Sequence, residues 1–404
     1  MEEYDVLVVG AGPAGSGAAL SAAMAGAKTL MVDRKKEIGT PVQCGEVIGR
    51  SLLRQTGIVL PRQAICSTQR STRFLIDRSL VVNNREDYWA SVTVERKILD
   101  KLWAEDAARA GARVEADTKL TSLDLDGEDV VSATIMRRGR EVKVRPKMVV
   151  AADGVHSTVA KLMGVRWYPE EYVARGAEYE LVAKRPLPKA MQIILEPEVG
   201  LGYGWIIPKG SARANVGMAE VGASAKRRSK VMDWIEEHPL ISKYFDTDKV
   251  LEVKTGEAPV PGFKGGPTKG NVLFAGDAAG QTLAFVGEGI VPSHVCGRVA
   301  GAAAAMGDPS AYDSQLREVM GEELDYGSRL KDEIIALWND PSLSPSERVM
   351  VSGLVMSECI QPEELMMLEA MADAGIGEML TALREKLKEE ERGITVSRIR
   401  GRDQ

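Results

Sequence analysis

The chain has 404 residues, of which 44% are hydrophobic and 27% charged, values typical of a globular protein with sizeable cores. Its net charge of −6 disfavours nucleic acid as a partner, and no run approaches the ~18 apolar residues of a membrane span. The four cysteines and three histidines lack metal-ligand spacing, which predicts free thiols in a reducing cytoplasm and no metal site.

The N-terminal segment predicts a βαβ unit. Tyr4 to Val9 have the composition of a buried parallel strand, and the sequence Gly-Ala-Gly-Pro-Ala-Gly follows from Gly10 to Gly15. A helix of small residues, Ser16 to Ala25, and a second strand, Lys28 to Val32, complete the unit. Because the chain enters a strand at once, no signal peptide is predicted.

This unit carries a complete dinucleotide fingerprint. Gly10 permits the tight turn out of the strand, and Gly12, followed by Pro13 and Ala14, lets the backbone approach a pyrophosphate. Gly15 allows close packing of helix on sheet. The acid at the end of the second strand, Asp33, suits a pair of ribose hydroxyls. The segment therefore predicts an adenine dinucleotide.

The middle of the chain combines strands with single helices. A long loop from Arg34 to Gly49 is predicted to be functional. The predicted elements that follow are short strands at Phe74–Ile76 and Leu80–Val82, a helix at Val94–Ala110, strands at Arg113–Ala116, Lys119–Leu125, Val130–Met136 and Arg140–Arg145, and a separate strand at Met148–Ala152.

The second half begins with alternating strands and ends in helices. Glu178 to Gly217 alternate as antiparallel strands do, and Ala225 to Glu237 form an amphipathic helical pattern. Asn271 to Ala275 predict a buried strand, followed by a helix that begins near Pro292. Beyond Met306 the pattern is entirely helical and becomes rich in methionine between residues 350 and 379.

Two further motifs favour FAD over NAD. Ala-Ala-Asp-Gly, with Asp153 and Gly154, and Gly-Asp-Ala-Ala-Gly, beginning at Gly276, each lie between a strand and a helix. Only one dinucleotide fingerprint is present. The set resembles the p-hydroxybenzoate-hydroxylase-like FAD superfamily. That resemblance implies a cofactor site that adds Asp277 on the ribityl chain, Arg96 near the phosphates, and Gly287, Gly289 and Ile290 at a helix N-terminus facing the flavin.

Within that superfamily the chain resembles the geranylgeranyl reductase family over roughly residues 1–300. Pro41 to Gly45 match its Pro-x-x-x-Cys-Gly loop, and Tyr203 to Pro208, followed by Gly217, match its Tyr-x-Trp-x-Phe-Pro…Gly strands. The Gly-Asp-Ala-Ala-Gly…Gly-Glu-Gly-Ile segment fits as well. The chain departs from the pattern at Ile207, where the family has Phe, and it lacks a proline soon after the Gly-Asp pair.

The resemblance implies an FAD-dependent reductase of geranylgeranyl chains in precursors of archaeal membrane lipids. An isolated alkene has no electron sink, so its reduction needs hydride from the flavin and a proton from a nearby donor. Cys44 is a candidate donor, or a small apolar residue that packs the loop, and Cys44 and Gly45 are expected to reach the flavin. Tyr203 and Trp205, two apart on one strand, are candidates for the wall of an apolar tunnel or for plain core aromatics.

The predicted fold class is α/β (α+β overall), with a single-Rossmann FAD-binding domain, an inserted antiparallel β-sheet substrate domain and a helical C-terminal region. Residues 1–70, 93–165 and 255–305 are assigned to the first, 71–92 and 166–254 to the second, and 306–404 to the third.

Two other functions stay open at this stage. One is a flavin-dependent monooxygenase or halogenase of an apolar or aromatic substrate, because halogenases carry a related Trp-x-Trp-x-Ile-Pro strand. The other is a non-catalytic FAD electron-transfer protein.

The expected partners are an isoprenoid lipid and an external reductant, which is ferredoxin, NAD(P)H or a deazaflavin. The protein is expected to be cytoplasmic. Its basic tail, Arg398, Arg400 and Arg402, is interpreted first as a solvated terminus, and peripheral contact of this tail with anionic lipid at the inner face of the membrane is the alternative.

Overall fold

The computed structural model describes residues 1–222, 227–361, 364 and 375–399. Its strands are β1 (Glu2–Val9), β2 (Thr29–Val32), β3 (Val47–Gly49), β4 (Ile65–Gln69), β5 (Thr72–Ile76), β6 (Leu80–Asn84), β7 (Ser91–Val94), β8 (Arg113–Glu115), β9 (Thr118–Asp126), β10 (Asp129–Arg137), β11 (Arg140–Ala151), β12 (Val173–Ala183), β13 (Met191–Leu195), β14 (Gly202–Pro208), β15 (Arg213–Val221), β16 (Phe245–Pro259), β17 (Thr268–Lys269), β18 (Val272–Phe274) and β19 (Ile394–Arg398).

The helices of the described residues are α1 (Pro13–Met24), α2 (Arg50–Thr56), α3 (Arg96–Arg109), α4 (Thr158–Leu162), α5 (Arg227–Glu237), α6 (Pro239–Tyr244), α7 (Ile290–Met306), α8 (Ala311–Asn339), α9 (Pro345–Met356) and α10 (Ile376–Glu389). A short 3₁₀ turn, Gly276–Ala279, follows β18.

The first sheet is the Rossmann-type layer. Its order is β17-β18-β11-β1-β2-β8, and β10 and β9 extend it from β11 as an antiparallel meander. Strand β1 pairs in parallel with both β2 and β11, so it is central and buried on both faces. Val6 and Val8 point into one core with the alanines of α1, whereas Leu7 and Val9 point into another. This two-sided burial explains why β1 is a continuous apolar run.

The second sheet has the order β16-β12-β15-β14-β13-β5-β6-β19. Its pairs are antiparallel except for β13, which runs parallel to β5. Residues alternate between its faces, so that Ile193 packs in the large core with helices α8 and α9, while Ile194 packs against Trp234 of α5. A third, smaller sheet has the order β3-β7-β4. This architecture confirms the predicted α/β class with a Rossmann-like FAD-binding fold and a separate, largely antiparallel sheet.

Two sequence predictions about strands are wrong. The region beyond residue 306 is not entirely helical, because Ile394–Arg398 form β19 and pair with the edge strand β6. Ile394 and Val396 are buried there while Thr395 is exposed, an alternation too short to stand out beside the helical pattern before it. The strands predicted at Arg140–Arg145 and Met148–Ala152 are one strand, β11, since its first half pairs with β10 and its second half with β1 and β18.

Some sequence predictions lie outside the described residues. Half of the methionines of the methionine-rich stretch, Met366, Met367 and Met371, are among them, as are Arg400 and Arg402 of the basic tail. Among the helices that are described, none is long and apolar enough to cross a membrane.

Candidate active site

The fingerprint forms a cavity at the carboxyl ends of the parallel strands. This first cavity, of about 550 Å³, is lined by Gly10, Gly12, Asp33 and Gly154 among others. Gly10 has φ of +101°, and a Cβ there would collide with the backbone carbonyl of Ala152. A Cβ at Gly12 would meet no atom within 4 Å, so the packing of the protein does not require glycine at this position. A group that fills the cavity does require it, which fits a bound pyrophosphate.

Two of the acids that line the first cavity, Asp33 and Asp153, accept hydrogen bonds from backbone N–H groups. Asp33 accepts hydrogen bonds of 2.8 Å from the N–H of Ala11 and from that of Lys35, which fixes its carboxylate at the end of β2. Asp153 accepts from the Ser157 hydroxyl at 2.6 Å and from the first N–H groups of α4, so its carboxylate caps that helix. Asp33 is thus the acid that a ribose would reach, and Asp153 shapes the turn beside it.

A second cavity, of about 340 Å³, continues from the first. Pro13, Arg96, Asp277 and Ser293 line both, so the two form one elongated cleft. The N-terminal residues of α1 and α7 lie at this junction, where helix dipoles favour negative charge. Burial raises the pKa of the Asp277 carboxyl to about 6, although Arg96 acts in the opposite direction. The junction is therefore where a flavin that follows an ADP moiety in the first cavity would lie.

Most of the residues predicted from sequence line this cleft. The first cavity is lined by Gly10, Gly12, Pro13, Ala14, Asp33, Asp153 and Gly154, and the second by Cys44, Gly45, Tyr203, Trp205, Gly287, Gly289 and Ile290. Gly15 and Gly276 line neither cavity, because they serve close packing: a Cβ on Gly15 would collide with the carbonyl of Gly10, and one on Gly276 would lie 2.8 Å from the Ala14 side chain.

Arg96 lies at the cofactor junction and also contacts the residues around the Cys44 loop. Its guanidinium forms a bidentate pair with Asp100 at 2.7 and 2.8 Å, and its backbone N–H donates to Glu46 at 2.8 Å. The positive charge of the guanidinium also acts to lower the pKa of the Cys44 thiol, against the larger effect of burial. Arg96 therefore acts electrostatically both on this thiol and on the Asp277 carboxyl at the cofactor junction.

Cys44 lies half-buried on the wall of the second cavity. Its Sγ accepts a 3.3 Å hydrogen bond from the N–H of Glu46. Burial raises the pKa of the Cys44 thiol, and Arg96 partly offsets this. The sulfur therefore carries a proton at neutral pH. If the proton leaves, the positive charge of Arg96 stabilises the thiolate.

Tyr203 and Trp205 point to the same face of β14 and form part of the cavity wall. Their rings meet edge-on, with centroids 5.9 Å apart. The Tyr203 hydroxyl donates to the backbone carbonyl of Val286 at 2.5 Å, and the Trp205 indole N–H donates to Glu178 at 2.8 Å. Each polar tip is thus occupied by the protein, which leaves the faces of the rings to the cavity.

Gly217 explains how Trp205 reaches Glu178. In the register of the sheet, Gly217 on β15 is paired with Trp205 on β14 and with Glu178 on β12. A Cβ on Gly217 would lie only 2.5 Å from the Cβ of Glu178. The missing side chain leaves the space through which the indole N–H and the carboxylate meet.

Sequence reasoning missed a group of charges beneath the Cys44 loop, here called the ion cluster. Lys209, with a fully buried side chain, lies 2.8 to 3.0 Å from Glu46, Glu95 and Glu180. Lys254 lies 2.7 Å from Glu46 and 3.1 Å from Glu178. The remaining members are Arg213, which pairs with Glu180 at 2.7 Å, and Asn215, which donates to Glu46 at 3.0 Å. One signal in the sequence could have revealed this cluster. Glu178 and Glu180 lie two residues apart in a predicted strand, so both side chains point to the same face, and both are buried.

The two glutamates nearest Cys44 differ in ionisation. Burial raises the pKa of Glu46, but Lys254 and Lys209 outweigh it and hold that pKa at about 2. Burial dominates at Glu178 and raises its pKa to about 7, although Lys254 acts against it. Glu46 is therefore a permanent anion, while Glu178 exchanges a proton near neutral pH.

Glu288, between Gly287 and Gly289, was also missed as a cavity residue. Its Oε1 accepts a 2.9 Å hydrogen bond from the N–H of Gly49, and burial raises its pKa to about 7. It joins the loop before α7 to the strand β3 that follows the Cys44 loop.

One part of the second cavity is lined by apolar side chains. Met191, Ile193 and Leu195 of β13 are buried side chains that line it. The facing residues come from three further segments: Phe285, Ile334, Ile335, Trp338, Val349 and Met356. This part of the cavity, here called the apolar arm, suits a hydrocarbon chain.

Comparisons with known proteins agree with this geometry. The family model described as an FAD binding domain matches residues 3–290. The digeranylgeranylglycerophospholipid reductase of Methanosarcina acetivorans is 32% identical over 350 residues, which are 83% of this chain and 85% of the relative. The crystal structure of a geranylgeranyl bacteriochlorophyll reductase-like protein from Thermoplasma acidophilum has a TM-score of 0.75 at 26% identity and covers 92% of this chain and 99% of its own.

The halogenase likeness is one of fold alone. The myxobacterial chondrochloren halogenase has a TM-score of 0.64 at 18% identity, with 86% of each chain covered. The FAD binding domain, by contrast, spans most of this chain, and FAD is its cofactor. The chain belongs to the digeranylgeranylglycerophospholipid reductase family, a family of FAD-dependent oxidoreductases.

Proposed function

We propose that this protein saturates carbon–carbon double bonds in the geranylgeranyl chains of lipid precursors, those of archaeal membrane ether lipids. The observation that carries the proposal is the apolar arm, which leads from Ile334 and Met356 on the helices to Cys44 and the cofactor junction. Each buried CH₂ group contributes roughly 0.8 kcal/mol, so an isoprenoid chain can bind there without a charged anchor.

The cofactor would supply the hydride for the reaction, and the cavity residues would supply the proton and position the substrate. FAD, once reduced, supplies hydride to one alkene carbon. In this proposal the Cys44 thiol gives a proton to the neighbouring carbon, and Arg96 stabilises the thiolate that remains. Tyr203 and Trp205 hold the alkene against the cofactor and exclude water.

The proposal names two kinds of partner. An external reductant restores the reduced flavin by supplying two electrons, either as a hydride from NAD(P)H or a deazaflavin or in two single-electron steps from ferredoxin. The lipid substrate implies contact with the inner face of the membrane. Sedimentation of the protein with anionic lipid vesicles tests that contact, and the absence of co-sedimentation at low salt argues against it.

An anaerobic assay tests the reaction itself. The protein is reduced with dithionite and mixed with a geranylgeranyl-bearing glycerophospholipid, and the lipid is then examined by mass spectrometry. We expect the mass to rise by two hydrogens for each double bond. Unchanged lipid, together with oxygen-dependent hydroxylation or halogenation of an aromatic compound, would instead support the halogenase or monooxygenase alternative.

A further inference from the structure

The ion cluster holds one carboxylate more than its cations balance. Among the described residues its carboxylates are Glu46, Glu95, Glu178 and Glu180, and its cations are Lys209, Lys254 and Arg213. A buried charge without a partner is costly, so one of the four acids is favoured to carry a proton.

The contacts identify Glu178 as that acid. Lys209 contacts the other three carboxylates, and Arg213 adds a second partner to Glu180. Within the described part of the chain, the cation that pairs with Glu178 is Lys254 alone, and its ammonium also donates to Glu46 and to the side-chain amide oxygen of Asn215. Its other neighbour, the Trp205 N–H, is neutral. The pKa of Glu178, raised by burial to about 7, agrees with this assignment.

Glu178 is also close to the site of the proposed reaction. Its side chain is buried and lines the second cavity, whereas Glu180, two residues along β12, does not. Its Oε2 atom lies 3.7 Å from the position that a Cβ of residue 45 would occupy, so it adjoins the residue that follows Cys44. Arg96 acts on the same thiol with a permanent positive charge, whereas Glu178 is a neighbour whose charge can change.

We propose that Glu178 reloads Cys44 with a proton after each reduced double bond. This inference rests on the proposed function above. One alkene carbon receives hydride with its electron pair from the reduced flavin, which is thereby oxidised, as the π bond breaks. The second carbon takes the thiol proton, so two C–H bonds form and a thiolate remains. The Glu178 carboxyl then transfers its proton to the sulfur, and the carboxylate takes a proton from water while the external reductant restores the flavin.

The proposal predicts a burst in a variant that cannot reload. Glu178→Gln protein carries one proton on Cys44, so with excess dithionite it should reduce the first double bond at the wild-type rate. Every later reduction should be slower by about 10²-fold. Cys44→Ser should be slow from the first double bond onward. Rapid mixing under anaerobic conditions, with mass spectrometry of the lipid at successive times, resolves these cases.

Glu180→Gln is the matched control, because it removes a charge from the same strand and cluster but not from the cavity. It should show no burst. Should Glu178→Gln fail to fold, Glu178→Asp, which keeps a carboxyl group, should fold. In this variant the later reductions should be slower than the first, but by less than about 10²-fold. Wild-type kinetics in Glu178→Gln, or the same burst in Glu180→Gln, would overturn the proposal.

Infrared spectroscopy gives a readout that needs no substrate. Between about pH 6 and pH 8 the wild-type protein should lose the carbonyl stretch of a protonated carboxyl. Other acids titrate in this window, Glu288 among them, so the Glu178→Gln spectrum is subtracted to isolate Glu178. A wild-type protein that shows this band but never reduces the lipid contradicts the proposed function alone. Lipid reduction without the band contradicts only the role of Glu178.

Discussion

The indole N–H of Trp205 donates a 2.8 Å hydrogen bond to the carboxylate of Glu178 across the empty position of Gly217. The bond joins the aromatic wall of the second cavity to the ion cluster below it. Tyr203, Trp205 and Gly217 form one motif in the sequence. In the structure, Trp205 and Gly217 of this motif also orient the ionisable carboxyl group of Glu178.

Trp205→Phe should raise the pKa of Glu178 above about 7. The indole N–H favours the charged carboxylate, so its removal favours the protonated form. The infrared band of the protonated carboxyl should then persist to higher pH. Because the proposed reloading of Cys44 needs protonated Glu178, the pH above which activity falls should rise as well. Trp338→Phe, which changes a tryptophan in the apolar arm instead, should leave the band where it is. An unshifted band in Trp205→Phe would show that this bond does not tune Glu178.

Gly12→Val should abolish FAD binding without unfolding the protein. Its Cβ meets no protein atom within 4 Å, so the added side chain occupies only the first cavity. Purified wild-type protein should be yellow with about one non-covalent FAD per chain, and the variant should be colourless with a melting temperature close to that of the wild-type apoprotein.

Gly377→Val is the control, since Gly377 also has no atom within 4 Å of a Cβ and lies on α10, outside both cavities. It should bind FAD normally. Normal FAD uptake by Gly12→Val would contradict the cofactor assignment.

Cys44→Ser should keep FAD and lose steady-state turnover by about 10²-fold or more, as expected for loss of a general acid. Cys66→Ser is its control, because Cys66 is also partly buried but lines neither cavity. The comparison uses the anaerobic lipid assay and the flavin absorbance of both proteins. Activity of Cys44→Ser within a few-fold of Cys66→Ser would mean that the sulfur only packs the loop.

Glu46→Gln should destabilise the protein by about 3–5 kcal/mol at pH 7, because Glu46 is the buried carboxylate that Lys209 and Lys254 share, and the surplus acid of the cluster, Glu178, contacts only Lys254 of the two. The wild-type pKa of about 2 gives the sign of the pH dependence. The folded state keeps this carboxylate charged where the unfolded chain binds a proton. Its contribution is therefore complete above the ordinary glutamate pKa of about 4.3 and is lost as the pH falls towards 2.

Urea unfolding at pH 7 and at pH 3 measures this effect, and the difference between wild type and variant should shrink at the lower pH. Glu128→Gln, at an exposed turn, should change the free energy of unfolding by no more than about 0.5 kcal/mol. Equal stability of Glu46→Gln and wild type at pH 7 would refute the role assigned to Glu46.

Ile334→Trp should select against long chains. Ile334 is half-buried on α8 and lines the apolar arm, so a larger side chain there shortens the arm. We expect kcat/KM for a geranylgeranyl substrate to fall by about 10-fold or more relative to a geranyl substrate. Ile98→Trp, on the exposed side of α3, should change neither value. An equal loss of kcat/KM for both substrates would mean that the isoprenoid chain does not bind in the apolar arm.

The sequence predicted residues that line the first cavity, because these residues lie close together in the chain. Gly10, Gly12 and Asp33 lie within one βαβ unit, where strand, turn and helix dictate their relative positions. The Rossmann layer, the separate sheet and the FAD follow from such segments. The C-terminal strand was missed because β19 gains its stability from pairing with β6, which lies far away in the chain.

The sequence by itself thus determined the Rossmann-type FAD fold and the residues of the fingerprint that line the first cavity, since short-range geometry and apolar periodicity specify both. Only the tertiary structure decided which charges are buried together. Glu46 meets Lys254 across 208 residues and Lys209 across 163, and no periodic pattern records such a meeting. An alternating strand shows which side chains point inward. Whether an inward glutamate is an anion or holds a proton depends on the cations that other strands bring within about 3 Å, and this is decided by the assembled sheet.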